Sequence, residues 1–167
     1  MRASSFLAAP LVALACCSAP LPPPLPTGAK ADRIVVVKHQ GWLTAYSGGE
    51  ELVTYFNIDL GGAAVGRKRF KGDGLVPEGE YIIIREKPDS RDGPSLKISY
   101  PNAADRAYAA ERGRSAGGDI KIYGVPVPMP RYVWDKRTTD GDIGLRHAEM
   151  RQLHDITPDG TPVLILR

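Results

Sequence analysis

Cysteine is almost absent from this chain of 167 residues, which has only two, Cys16 and Cys17, side by side near the amino terminus. The stretch from residue 18 to residue 167 therefore contains no thiol. A disulfide, a thiolate metal site and a cysteine nucleophile are all excluded there, because each of them requires sulfur. Any chemistry of a folded region in that stretch has to use other side chains.

Metal-binding and nucleic-acid-binding patterns are also missing. The chain has 22 basic and 19 acidic residues, a near balance that gives no basis for nucleic-acid binding. Its His147 and His154 are seven residues apart and share a predicted helix face, but no carboxylate accompanies them there. The run that begins at Asp140 has Arg151 at its twelfth position, which breaks the calcium-loop rule. We therefore predict no metal site and no cofactor.

The opening segment has no acidic residue and no apolar run long enough to cross a bilayer. Residues 1–17 contain one Arg and then an apolar run, which is typical of a secretory signal. Ala13-Leu14-Ala15 fits a cleavage site, and a lipid anchor at Cys16 is the alternative. Residues 18–31 hold five prolines and are predicted to form an extended tether. We expect an exported domain over residues 32–167, periplasmic or associated with the cell envelope, without a transmembrane span.

Short β-branched and apolar runs between turn residues dominate this domain. They predict strands at 33–38, 42–46, 52–60, 80–85, 96–100, 119–123 and 162–166, the first three as a meander. A first helix is predicted in the segment AADRAYAAERG, with Asn102 as its N-cap, Asp105 in its first turn and Gly113 just past its end. A second helix is predicted over 146–156. The pattern thus indicates a mostly β fold with two short helices.

Seven segments, in order, resemble the L,D-transpeptidase catalytic-domain family, whose members remodel peptidoglycan. They are ADRIVVVKHQGWLTAY, GDGLVPEGEYII, SLKISYPNAADRA, GGDIKIYG, TTDGDIGL, HAEMRQL and PDGTPVLI. The resemblance covers nearly the whole predicted domain. It implies a β-sandwich or barrel and, as partners, peptidoglycan, its stem peptides or an envelope protein.

The reactive residues of that family are replaced in this chain. The family uses a His-Gly pair on one strand and a later Ser/Thr-x-Gly-Cys, whose Cys is acylated by a peptide stem. Here Gly124 matches the first glycine, but Tyr123 stands in place of the His. Thr139 and Gly141 match the later motif, but Asp142 stands in place of the Cys. The resemblance therefore implies a degenerate member that keeps the scaffold positions and lacks both reactive groups.

Two functions follow from these replacements. A carboxylate attacks amides poorly, and a tyrosine with a pKa near 10 is protonated at pH 7, so we predict binding without thiol acyl transfer. The alternative is an enzyme in which Asp142 is the nucleophile or general base and Tyr123 donates a proton or hydrogen bond. Asp140 and Asp142 could share a face, with one pKa raised by the other. Asp-Gly-Asp is equally an ordinary turn whose carboxylates accept from backbone amides.

Candidate substrate contacts lie elsewhere in the domain. Within a long, glycine-rich and basic loop over residues 61–74, Arg69 and Lys71 could attract the carboxylates of stem peptides. Tyr100 could line a groove for a glycan or peptide, and Asp140 is a further candidate substrate contact. The alternatives are a solvated loop and an aromatic residue of the core or rim.

Overall fold

The structure is a computed structural model that describes residues 22–61, 66–85, 93–125 and 141–167. These ranges contain a short 3-10 helix at Lys38–Gln40, eight β-strands and two α-helices. The strands are β1 (Arg33–Val37), β2 (Trp42–Ser47), β3 (Glu50–Phe56), β4 (Gly79–Ile84), β5 (Ser95–Ile98), β6 (Lys121–Val125), β7 (Ile143–Arg146) and β8 (Pro162–Leu166). The helices are α1 (Ala103–Ala110) and α2 (His147–Ile156).

All eight strands belong to one sheet in the order β3-β2-β1-β8-β4-β5-β6-β7. Neighbouring strands are antiparallel except for the parallel pairs β1–β8 and β6–β7. The predicted meander of the first three strands and the mostly β class with two helices are confirmed.

Among the described residues, one bridge joins the two edges of this sheet. Asp59, which follows edge strand β3, pairs with Gly144 of edge strand β7. The Asp59 amide donates to the Gly144 carbonyl at 2.8 Å, and the Gly144 amide donates to the Asp59 carbonyl at 2.7 Å. Because β3 and β7 are the edges, this bridge makes the sheet a nearly closed, barrel-like structure.

Alternating burial directs the apolar residues of each strand into the core. In β1, for example, Ile34 and Val36 are completely buried. Helix α2 covers β6 and β7 and buries Met150, Leu153 and Ile156 against them. The period of two in the strands and the helical spacing in α2 therefore serve one shared core.

Two strand boundaries differ from the predictions at residues with a left-handed backbone. The third strand ends at Phe56, because Asn57 has a φ of 56° and leaves the extended region. The sixth strand begins only at Lys121, after Asp119 with a φ of 59°. Asn102 caps α1 as predicted, through a reciprocal pair of hydrogen bonds with Asp105.

Residues 22–31, predicted as part of an extended tether, contact the domain. Leu25 and Ala29 pack against the core, and the Pro23 carbonyl accepts a hydrogen bond from Gln152 of α2. The packed region therefore begins before Asp32. The predicted signal at residues 1–17, with Cys16, lies outside the described residues. Within the part of the chain that the structure describes, no helix is both long and apolar enough to span a membrane.

Candidate active-site region

Tyr123 and Asp142 lie on the two neighbouring parallel strands at the end of the sheet. Tyr123 is on β6 opposite Gly144 of β7, and Asp142 immediately precedes β7. The Asp142 Oδ1 accepts a hydrogen bond from the Lys121 amide of β6 at 2.8 Å. Alternation along the strands places the Tyr123 and Asp142 side chains on the same face. The structure therefore brings these two predicted site residues together.

Asp59, which sequence analysis did not identify, belongs to the same region. It is buried, with 6% of its surface exposed, and its Oδ1 accepts a hydrogen bond from the Gly61 amide at 2.9 Å. A Cβ on Gly144 would lie only 2.9 Å from the Cβ of Asp59, so the bridge requires a glycine here. The only local signal was a polar residue near the end of a predicted strand, which does not indicate its distant partner.

The hydroxyl of Tyr123 is kept protonated by its surroundings. Burial and then the negative charges of Asp59 and Asp142 raise the pKa of Tyr123 to about 12. At neutral pH the hydroxyl is therefore a hydrogen-bond donor and not a base.

Cations accompany the carboxylates on this face of the sheet. Lys97 of β5 is paired in register with Lys121 of β6, two residues before Tyr123. Their ammonium nitrogens lie 3.1 and 3.6 Å from an oxygen of Asp119. Hydrogen bonding to Lys97, together with the charge of Lys121, holds the pKa of Asp119 below its ordinary value. The face thus carries both signs of charge around Tyr123.

The two predicted motif glycines lie where other chain segments approach closely. Gly141 has a φ of +106°, and a Cβ there would lie 2.5 Å from the Leu75 carbonyl oxygen. Gly124 is on the opposite face of β6 from Tyr123, where His147 of α2 lies against it. Thr139 and Asp140 lie outside the described residues, so the suggested pairing of Asp140 with Asp142 stays a prediction.

The candidate substrate contacts lie apart from Tyr123. Tyr100 is only 3% exposed, and its hydroxyl donates to the Ala116 carbonyl at 2.9 Å. This position corrects the expectation of a groove residue, because such a side chain packs in the core. The Arg69 guanidinium lies over the ring of Tyr108 on α1, and the Lys71 amide donates to the Ser115 carbonyl. Arg69 and Lys71 therefore belong to a surface formed by their loop and α1.

The described residues show no metal cluster, and they form a groove elsewhere on the sheet. Among the described ranges, no group of three His, Cys, Asp or Glu residues is arranged to hold a metal ion. An open groove of about 610 Å³ lies at β4 and β8, and its wall includes Glu80, Ile82 and Leu164. The residues that line this groove include none of the site residues predicted from sequence.

Comparison with known proteins gives consistent relatives. The chain is 33% identical over 92 residues to the Escherichia coli (strain K12) protein named "Putative L,D-transpeptidase YafK", which covers 54% of this chain and 35% of that protein. This chain thus spans about a third of the curated relative's length.

Solved structures share the fold. The helical cell shape determining protein Pgp2 from Campylobacter jejuni matches 83% of this chain and 48% of its own, with a TM-score of 0.60 and 23% identity. A variant of an L,D-transpeptidase from Enterococcus faecium matches 83% and 50%, with a TM-score of 0.54 and 16% identity.

The match that decides the family extends over most of the sequence. The family model for the YkuD L,D-transpeptidase catalytic domain matches residues 31–165, which include both described helices, strands β1 to β7 and all of β8 except Leu166. The chain therefore belongs to the YkuD L,D-transpeptidase catalytic-domain family.

Proposed function

We propose that this protein is an exported domain that binds peptidoglycan in the cell envelope without transferring acyl groups through a thiol. The observation that carries the proposal is the environment of Asp142, the residue at the position of the family's reactive cysteine. Its Oδ1 accepts the Lys121 amide at 2.8 Å, which is a structural use of the carboxylate. Family membership supports peptidoglycan as the ligand.

The chemistry of the two replaced positions argues against the family's reaction. A carboxylate that attacked a stem-peptide carbonyl would form an anhydride, which is higher in energy than the thioester formed by a cysteine. Tyr123, with a pKa of about 12, keeps its proton at neutral pH and cannot activate a nucleophile as an imidazole does. The sequence beyond residue 17 offers no other thiol.

Purified protein and isolated sacculi provide the test. We expect the protein to sediment with sacculi, to release and exchange no stem peptides, and to keep its mass after incubation with muropeptides. A mass increase equal to a covalently bound stem would contradict the proposal. Failure to sediment, together with no response to soluble stem peptides, would also contradict it.

The double variant Tyr123→His with Asp142→Cys tests whether the site retains the family's geometry. Acylation of this variant by a stem peptide, with none of the wild-type protein, would locate the loss of reaction in these two side chains. The single variant Asp142→Cys is the matched control, because it adds the thiol without the imidazole that promotes its ionisation.

A second candidate function is an enzyme that uses the same residues differently. The clustering of a protonated Tyr123 with the carboxylates of Asp59 and Asp142 favours it, because acids and bases with separated pKa values can act together. Such an enzyme would lose its activity in Asp142→Ala and most of it in Asp142→Asn. A substrate screen over glycans, esters and peptidoglycan fragments decides this, since no turnover that depends on Asp142 would reject the enzyme.

Export rests on the composition of residues 1–17, with its single Arg and its apolar run. Fusion of residues 1–31 to a reporter that is active only outside the cytoplasm should give activity. The same fusion with Cys16→Ser distinguishes the two processing routes: lipid labelling that disappears in this variant would identify an anchor, and unchanged processing would identify a cleaved signal.

A further inference from the structure

Three arginines converge on two aromatic rings beside helix α1. The guanidinium carbons of Arg112 and Arg69 lie 3.7 and 4.2 Å from the ring centroid of Tyr108. The guanidinium carbon of Arg114 lies 3.8 Å from the ring centroid of Phe70. The two rings are themselves 6.0 Å apart. We call these five residues the basic platform.

The platform concentrates positive charge from separate parts of the chain. Arg69 and Phe70 come from the loop before β4, Tyr108 comes from α1, and Arg112 and Arg114 follow α1. Arg69 and Arg112 approach the same ring, so their guanidinium carbons can be no farther apart than the sum of their two distances to its centroid. Like charges held this close raise the local positive potential and so favour an anion beside them.

Two carboxylates near the platform, within the part of the chain that the structure describes, compensate little of this charge. Glu111 lies 3.2 Å from Arg112, but its side chain is 71% exposed, so solvent screens the pair. Asp73 instead accepts from Lys68 at 2.8 Å and from the amides of Arg69 and Phe70. Asp73 therefore stabilises the loop backbone and is directed at Lys68.

Stacking also prepares these arginines for bidentate recognition. A guanidinium that lies on a ring is desolvated on its face, while the N–H groups at its edge stay available in the plane. The Arg112 Nη1 donates to the Tyr108 carbonyl at 3.0 Å and to Glu111 Oε2 at 3.2 Å, which fixes the guanidinium, and the side chain remains 45% exposed. The Nη2 and Nε edge of a guanidinium fixed in this way matches the two oxygens of a carboxylate.

The loop of the platform also reaches the Asp142 region. The carbonyl of Leu75 lies against Gly141, directly before Asp142, and the backbone of Lys71 lies against Gly117. One loop therefore borders both the platform and the candidate site, which suits a polymer with repeated anionic groups more than a small anion.

We propose that the basic platform is a second binding site that holds the free carboxylates of peptidoglycan peptide stems, apart from the Tyr123 and Asp142 region. This inference rests on the proposed function, since it assigns to the platform a share of the affinity for sacculi. The charged edge of stacked arginines, and not a reactive group, provides the recognition.

The test compares charge-matched variants in sedimentation with sacculi. Arg112→Gln with Arg114→Gln should weaken binding about tenfold, through two lost charge-assisted contacts. Arg33→Gln with Arg151→Gln removes the same charge from exposed positions elsewhere, one of them an arginine over a tyrosine ring, and should change binding by less than about twofold. Arg112→Lys with Arg114→Lys keeps the charge without the planar fork and should lie between them.

Two modified ligands identify the anion. Sacculi whose carboxylates are converted to amides should lose the platform-dependent part of binding, and sacculi stripped of phosphate polymers should keep it. Equal binding of the wild-type protein and the platform variant, or binding unaffected by amidation, would overturn the inference. So would a loss on removal of phosphate polymers alone.

Soluble poly-L-glutamate separates this inference from the proposed function. If poly-L-glutamate binds in calorimetry and the platform variant weakens that binding, while sacculi are not retained, the proposed function fails and the platform is a carboxylate site. If sacculi are retained equally by the wild-type protein and the platform variant, the platform inference fails and the proposed function stands.

Discussion

Replacing Asp142 distinguishes a structural carboxylate from a catalytic one. Its Oδ1 accepts the Lys121 amide and so ties the turn before β7 to strand β6. Asp142→Ala removes this acceptor and leaves a partly buried amide without its partner. Asp142→Asn keeps an oxygen in the same place and removes only the charge. If the role is structural, the two variants should therefore differ in stability.

The magnitude follows from the hydrogen bond itself. A hydrogen bond to a charged group contributes about 1.5–3 kcal/mol, and partial exposure places this one near the lower end. We expect Asp142→Ala to lower the free energy of unfolding by about 1–2 kcal/mol and Asp142→Asn by about 0.5 kcal/mol. Urea titration at pH 7 measures both, with a midpoint shift of about 1 M for the Ala variant at a typical slope.

A matched control is available in Asp159. Its Oδ1 accepts the Arg85 amide at 2.7 Å in an exposed turn, so Asp159→Ala should cost less than Asp142→Ala. The reasoning is refuted if Asp142→Ala is as stable as the wild-type protein, or if Asp142→Asn is as destabilised as Asp142→Ala. Asp142→Asn should also lower the pKa of Tyr123, because the negative charge that helps to raise it is gone.

Three further predictions concern the same framework. In the folded protein the pKa of Tyr123 is about 12, above its unfolded value near 10. The protonated hydroxyl therefore makes its full contribution to the free energy of unfolding below pH 10, and this contribution is lost as the pH rises to 12. Urea midpoints over this pH range should fall less in Tyr123→Phe than in the wild-type protein. Gly144→Ala should destabilise by about 1–3 kcal/mol because its Cβ would meet Asp59 at 2.9 Å, whereas Gly118→Ala, with its nearest atom at 3.4 Å, should be nearly neutral in thermal unfolding. Asp105→Ala removes a buried acceptor of the Tyr81 hydroxyl and the capping partner of α1, and should cost about 3 kcal/mol in urea titration. Its control Asp119→Ala, at a carboxylate that is 66% exposed, should cost less than about 1 kcal/mol; equal losses would contradict the assigned role of burial.

The bridge between Asp59 and Gly144 connects these predictions to the site. It is the described contact that joins the edge strands, and it lies opposite Tyr123 across the β6–β7 pair. A change at Gly144 therefore acts on barrel closure and on the surroundings of Tyr123 together. The pKa of Tyr123, measured in folded Gly144→Ala, distinguishes the two effects. A local change around Tyr123 would shift this pKa, whereas a purely global loss of stability would leave it unchanged in the folded protein.

The sequence by itself determined most of the local elements and the family, although β7 was not among the predicted strands. The β-branched run of β1, the Asn102 and Asp105 pair at the start of α1, and the helical spacing of α2 each encode their structure within a few residues. Local signals of this kind depend on backbone propensity and capping, which need no information about distant segments. The position of Tyr123 on a strand was predictable for the same reason.

Only the tertiary structure decided which residues meet. Nothing near Asp59 in the sequence indicates that it bridges Gly144, and nothing near Tyr100 distinguishes a core tyrosine from a groove tyrosine. The parallel pairing of β6 and β7 sets Tyr123 beside Asp142, and the loop before β4 brings Arg69 to Tyr108. Such contacts join residues far apart in the chain, and they form when the whole sheet buries its apolar face. The order of the strands and the closure of the sheet therefore decided which residues form the site, and the local sequence pattern did not.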